Sequence, residues 1–135
     1  MLIRPARSED IEEVLALWSV AEAEPTRTDD ATSLELLLRH DPSSLLVAEV
    51  DGRPVGTVVS GWDGWRGSIY RLAVHPEYRR QGLARRLLSE AESRLTKLGA
   101  KRMQAIVVAS DHRAVGFWEA SGWDGQVDRL RFVKG

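Results

Sequence analysis

Apolar residues return along the first twenty positions at helical spacing. Ile11, Val14, Leu15 and Trp18 stand at i, i+3, i+4 and i+7 and make one apolar face. Ser8 offers an N-cap, and Asp10, Glu12 and Glu13 put negative charge where a helix dipole favours it. Leu2–Pro5 ahead of them is a short strand candidate. The helix fades by Pro25, and Pro25–Thr32 is a polar loop. Ser33 caps a second short helix that Leu34, Leu37 and Leu38 carry through Arg39, until Asp41-Pro42 stops it. The pattern then tightens into strands. Leu45–Val50 and Val55–Ser60 flank Asp51-Gly52, a hairpin signal that Arg53-Pro54 either leaves tight or lengthens. A turn-like stretch at 61–67 leads into Ser68–Val74, which stops at His75-Pro76. Gly82–Leu98 is the strongest helix, with a buried stripe of Leu83, Leu87, Ala91, Leu95 and Leu98. Arg85, Arg86, Glu90 and Arg94 face outward, and Gly99 suits the C′ position. Met103–Val108 is a further strand candidate, Arg113–Ser121 a short helix ended by Gly122, and Gln126–Val133 a closing strand. The order predicts an α/β domain with a mixed sheet.

Composition narrows the classes. The 135 residues contain no Cys, so there is no disulfide frame, thiolate zinc site or Cys nucleophile. With 43% hydrophobic and 29% charged residues the chain has the make-up of a folded domain. No stretch approaches the ~18 apolar residues of a membrane helix, and the opening MLIRPARSED lacks a secretory apolar region. The expectation is one cytoplasmic domain over residues 1–135 with no membrane partner. The net charge of −1 hides an uneven distribution: residues 1–51 hold 12 acids and 4 bases, and residues 79–102 hold 8 bases and 2 acids. A near-neutral total argues against nucleic acid as partner. The local basic run is either a solvated helix face or an anion site near Arg79–Arg86.

The turn from strand to helix carries the candidate chemistry. Arg79-Arg80-Gln81-Gly82-Leu83-Ala84 lies where a strand hands over to the long helix. A helix N-terminus presents unpaired amides and about half a positive charge. A glycine lets the backbone approach an anion, and arginines neutralise a diphosphate. The turn has neither the G-K-[ST] run of a P-loop nor the G-x-G-x-x-G of a dinucleotide fold.

The segment 69–88, IYRLAVHPEYRRQGLARRLL, resembles the acetyl-CoA-binding motif of the GNAT acetyltransferase superfamily. The block 114–123, AVGFWEASGW, resembles that family's later helix, A-x-x-x-[YF]-x-x-x-G-[FYW], and the opening IRPARSEDIEEVLALW is similar too. The resemblance implies a mixed, mostly antiparallel central sheet flanked by helices. Its central strands would splay into a notch for CoA. It implies an acyl-CoA-dependent N-acyltransferase, with acetyl-CoA as cosubstrate and no metal. The acetyl group would pass directly to a small-molecule or peptide amine in a ternary complex. A homodimer is one assembly it allows. A CoA-binding or regulatory module without catalysis is the competing class.

Residue by residue, the resemblance places the pantetheine arm on the backbone of Leu72, Ala73 and Val74. The Val74 amide would polarise the thioester carbonyl. Arg80, Gln81, Gly82, Leu83, Ala84 and Arg85 would hold the pyrophosphate, and Arg79 opens the motif in either a binding or a structural role. Asp111 stands where many members carry Asn. Ala114 and Phe117 lie beside the pantetheine or in helix core. Trp118 occupies the place of a Tyr acid. An indole has no proton to give, so its assigned role is packing or positioning. Tyr70 and Tyr78 are conceivable acids, and Asp63, Glu22 and Glu24 conceivable bases; Ile106 stands where some members carry a Glu. His75 reads as a strand-end turn residue. Trp18 reads as core. Trp62 and Trp65 either wall an acceptor pocket or cover the sheet end, and the acidic first half suits a cationic acceptor.

Overall fold

A computed structural model describes residues 1–21 and 23–135. Glu22, one of the candidate bases, lies outside them. Two compact units divide the chain, Met1–Ala105 and Ile106–Gly135.

The first unit is a five-stranded sheet in the order β1 (Leu2–Pro5), β2 (Leu45–Val50), β3 (Arg53–Trp62), β4 (Gly67–Val74), β5 (Met103–Ala105). All pairs are antiparallel except β4 with β5. Helices α1 (Ile11–Val20) and α2 (Ala31–His40) accompany one face, and α3 (Leu83–Leu98) covers the other. The mixed, mostly antiparallel sheet expected above is therefore present. Alternation along the strands explains the two layers. Leu45, Val47 and Val59 join Ile11, Val14, Leu17, Trp18, Leu34 and Leu38 in one core. On the opposite face, Leu83, Leu87, Ala91 and Leu95 of α3 are buried. A Cβ on Gly56 would come within 2.9 Å of Leu87 and one on Gly67 within 2.7 Å of Leu95, so these glycines let the helix sit directly on strand backbone. The β2–β3 hairpin keeps its two-residue Asp51-Gly52 turn, both residues at positive φ, and pairing resumes at once with Val50↔Arg53. Among the described residues no helix is long and apolar enough to cross a membrane.

Several local expectations are corrected. The cap of α2 is Asp30, whose Oδ1 accepts the Ser33 amide at 2.7 Å, so Ser33 is the capped residue. Ser8 begins a short 3-10 turn and donates its hydroxyl to Glu35 at 3.0 Å. Strand β3 runs on through Gly61 and Trp62 and β4 begins at Gly67, so the expected turn at 61–67 shortens to 63–66. Strand β5 is only three residues long; Ile106 and Val108 beyond it are more than half exposed. Leu98 is exposed, and Leu88 joins the buried stripe in its place. Arg94 does not face outward. Its guanidinium turns back onto the central strand β3 to donate to the Ser60 carbonyl at 2.6 Å and the Ser60 hydroxyl at 2.8 Å, and to Asp41 at 2.5 Å. The second unit holds one helix, α4 (His112–Ala120), and the expected strand over 126–133 does not form. Its Val127, Leu130 and Phe132 are largely exposed.

One buried ion cluster ties β1 to the start of α1. Arg4 donates to both carboxylate oxygens of Asp10, at 2.7 and 3.0 Å, and to Glu49 at 2.8 Å. Asp10 also accepts the Arg7 amide at 2.8 Å. The hydrogen bonds from Arg4 hold the Asp10 carboxyl below the usual carboxylate range, burial opposes them, and the Arg7 amide adds to the lowering. A carboxyl with a lowered folded pKa stabilises fully above its unfolded value of about 3.9, and that contribution is lost as pH falls through the folded pKa. Asp10→Asn is expected to cost about 1–3 kcal/mol at neutral pH. Thermal melts of both proteins should show the gap narrowing below about pH 4. A gap unchanged down to pH 3 would contradict the assignment.

Candidate functional site

Strand β4 is bent before it reaches the turn. Between the pairs Val59↔Tyr70 and Thr57↔Ala73, β4 spends one residue more than β3. Arg71 takes φ +50° within this bulge, a left-handed conformation that side chains seldom adopt. Its surroundings hold it there. The Trp18 indole N–H donates to the Thr57 hydroxyl at 2.8 Å, and that hydroxyl donates to the Arg71 carbonyl at 2.8 Å. The Arg71 guanidinium lies 5.3 Å over the Trp18 ring, pairs with Asp29, and donates to the Glu24 carbonyl at 2.8 Å. Thr57 is fully buried, so the hydroxyl needs both partners.

Past the bulge, β4 pairs with no strand on its β5 side among the described residues. Its pairing with β5 ends at Ile69↔Ala105, and Tyr70–Val74 continue without a β5 partner. The His75 amide donates to the Val55 carbonyl at 2.8 Å. Antiparallel hydrogen bonds alternate sides, so the Val74 amide points the other way, toward that open edge. Leu72 is half-buried, and Ala73 and Val74 are buried.

The turn follows at once. His75 Nδ1 accepts the Glu77 amide at 3.1 Å, closing a 3-10 turn, so His75 is the expected turn residue. Arg79 donates to the Ala21 carbonyl at 3.2 Å and caps the end of α1, the structural alternative for that side chain. Arg80 and Gly82 both have positive φ, +64° and +76°. The first α3 bond runs from the Arg86 amide to the Gly82 carbonyl at 3.1 Å. The amides of Leu83, Ala84 and Arg85 thus have no partner within the helix. A Cβ on Gly82 would meet nothing within 4 Å, so the space before these amides is open. Arg80, Gln81 and Arg85 are exposed, whereas the Leu83 side chain is core and only its backbone is available. Exposed cations, free amides and an open glycine fit a phosphate-bearing ligand.

In the second unit, Asp111 caps α4: its Oδ1 accepts the Ala114 amide at 3.1 Å. Ala114, Phe117 and Trp118 are half-buried. The Trp118 ring packs edge-on between Phe117, at 5.9 Å, and Trp123, at 4.7 Å.

The remaining candidates separate. Asp63 is an exposed turn residue whose Oδ1 accepts the amides of Trp65 and Arg66 at 2.8 and 2.7 Å. The Arg66 and then the Trp65 amide hold its carboxyl below the usual range, which disfavours it as a base. Trp62 and Trp65 belong to the opposite end of β4 from Val74, beside the end of α3. They cover a sheet end and do not border the Val74 backbone. Tyr70 is half exposed on β4, and Tyr78 packs against the His75 ring. Five of the twelve acids in residues 1–51 are engaged by an arginine or a helix start: Asp10 and Glu49 pair with Arg4, Asp29 with Arg71, Asp41 with Arg94, and Asp30 caps α2. These pairs reduce the acidic excess of this half without removing it. The sequence reading missed Arg71; its signal was a charged residue interrupting an apolar strand. Among the described residues no group of three His, Asp or Glu could hold a metal.

Solved structures share this architecture. Ard1 from Thermoplasma volcanium is 24% identical, over 90% of this chain and 80% of that one, with a TM-score of 0.80. The ribosomal-protein-S18-alanine N-acetyltransferase from Escherichia coli is 21% identical, over 90% and 76%, at 0.72. The acetyltransferase AAC(6')-Iy, solved with a CoA-containing bisubstrate analogue, is 19% identical, over 99% and 97%, at 0.75. At these identities the likeness is one of fold. The family itself is set by sequence: the acetyltransferase (GNAT) family model matches residues 9–123, through both the bulged strand and the α4 block, and the chain belongs to that family.

Proposed function

We propose that this chain is an acyl-CoA-dependent N-acyltransferase that passes acetyl from acetyl-CoA to a primary amine, residues 1–135 acting as one acetyltransferase domain. The observation that carries it is the continuity of β4 and the turn. An amide aimed at an uncovered strand edge, that of Val74, is followed within ten residues by a helix start with free amides and exposed arginines. Arg80, Arg85 and the amides from Leu83 to Arg85 would hold the pyrophosphate. Leu72–Val74 would align the pantetheine, and Asp111, Ala114 and Phe117 of the second unit complete the assignment.

The chemistry asks little of side chains. The neutral amine attacks the thioester carbonyl, the C–N bond forms, and the carbonyl oxygen gains charge that the Val74 amide stabilises. The C–S bond then breaks, sulfur leaves as thiolate, and the amine proton passes to water. A thiol of pKa near ~8.5 leaves without an acid's help. This suits Trp118, packed between two aromatic rings and without a transferable proton. The same absence favours a second reading, a CoA-binding module without turnover. The family neighbours acetylate amines on proteins and on an aminoglycoside, by their names. The acceptor here is accordingly a small-molecule or peptide amine, and a homodimer is the assembly to look for.

Saturating acetyl-CoA should raise Tm by on the order of 10 °C, following mass action. No shift, with no competition by CoA, would remove both readings. Thiol release followed across amino acids, polyamines and peptides separates the two, since binding with silence on every amine favours the module. Trp118→Phe is expected to keep turnover within about threefold, because an indole relays no proton. Its abolition with CoA affinity intact would reassign that residue. Gly82→Ala and Gly52→Ala make a matched pair, since both glycines have φ near +78° and open space around them. Each should lose about 1–2 kcal/mol of stability. Only Gly82→Ala should weaken acetyl-CoA binding, by about tenfold or more, as a methyl group blocks backbone approach. Equal affinities in calorimetric titration would count against the phosphate assignment.

A further inference from the structure

At the far end of α3 from that turn, the β3–β4 connection and the α3–β5 connection enclose a groove of about 490 Å³. Its walls include Trp62 and Trp65, and its rim carries Arg66, Lys101 and Arg102. Of the half-buried arginines elsewhere in this unit, Arg79 donates to the Ala21 carbonyl, and Arg4, Arg71 and Arg94 are each paired with a carboxylate. None of the three groove cations has such a partner among the described residues. Asp63 beside Arg66 accepts two amides and, with its pKa lowered, stays ionised. The end of α3 brings a partial negative charge, and the amides of Gly99 and Ala100 take up the Leu95 and Thr96 carbonyls. Three full side-chain cations against one carboxylate leave the groove net cationic. Trp65 is 69% exposed, with the Arg66 guanidinium 4.1 Å from the ring centroid. The guanidinium lies over the ring, and the rest of the exposed indole is accessible to a planar ligand.

We propose that this groove is a second ligand site, separate from the acetyl-CoA turn, and that it binds a mononucleotide. The base lies against an indole, and the phosphate takes bonds from Arg66, Lys101 and Arg102. Planar rings stack on exposed tryptophans whatever their edge pattern, and the arginine fork matches phosphate. The volume lies within the range of small-molecule sites. Carboxylates alone would satisfy the cations but leave the indoles uncovered.

The test is amide NMR mapping of the full chain titrated with AMP at low salt, in parallel with adenosine, inorganic phosphate, a short single-stranded RNA and a Glu-rich peptide. AMP should shift the amides of Gly64, Trp65, Arg66 and Lys101 with a saturating curve, and adenosine or phosphate alone should bind at least about tenfold more weakly. Trp65→Ala and Arg102→Gln, both exposed positions, should each weaken AMP binding by about tenfold while leaving the remaining spectrum folded. AMP shifts confined to residues 80–85, or no saturable shift, overturn the proposal. So does a peptide that binds more tightly than AMP, or an RNA that binds where AMP does not. Acetyl-CoA failing to shift residues 80–85 would remove the acyltransferase reading and leave this one standing.

Discussion

The guanidinium of Arg71 over the indole of Trp18 is the contact on which the candidate site depends. It joins four pieces of chain: the bulge of β4, the middle of β3 through Thr57, the apolar face of α1, and the polar segment carrying Glu24 and Asp29. A left-handed residue in the middle of a strand costs about 1–2 kcal/mol. The ring contact, the ion pair and the carbonyl bonds offset that cost at the one place where β4 must bend. The bend matters because it lies between the part of β4 that pairs with β5 and the part that does not. Without it the strand would continue in register, and the direction of the Val74 amide would no longer be tied to an uncovered edge.

The helices and strands of the first unit were legible because burial there follows period. Leu83, Leu87, Ala91 and Leu95 recur at helical spacing, and β2 is apolar on both faces because both are covered. The Asp51-Gly52 turn was legible for a stereochemical reason, since both residues tolerate positive φ. What failed were choices between neighbours with equal local claims. Asp30 and Ser33 both make good caps, and the three-residue spacing lets one cap the amide of the other. Arg94 sits at an outward helical position, yet its long stem carries the charge back to Ser60 of the central strand and to Asp41. Val127, Leu130, Phe132 and Val133 make the stretch 126–133 rich enough in apolar residues for a strand, but a strand also needs an edge to pair with, and composition alone does not supply one.

The site was legible unevenly for the same reason. The turn at 79–85 is a local feature, and glycine, arginines and helix start are all written within seven residues. The bulge is not local. It depends on Trp18, Thr57 and Asp29, which lie in α1, in β3 and in the loop before α2, so only a charged residue in an apolar strand hinted at it. Charge counts misled where they ignored partners. Five of the twelve acids in residues 1–51 neutralise a named arginine or cap a helix, and exposed cations gather at the two ends of α3.

Helix α3 runs 16 residues between those ends, about 24 Å. It rests on Gly56 near one end and Gly67 near the other, with leucine methyl groups lodged where side chains would stand. Such seats work as notches. A helix resting on bulky side chains can slip by small rotamer changes, but one indexed at two bare backbone positions cannot move along its axis without lifting off the sheet. The spacing between the turn at 79–85 and the tryptophan groove is thus set like marks on a ruler. Insertions into α3 would have to come as whole turns, or the notches would no longer meet their leucines.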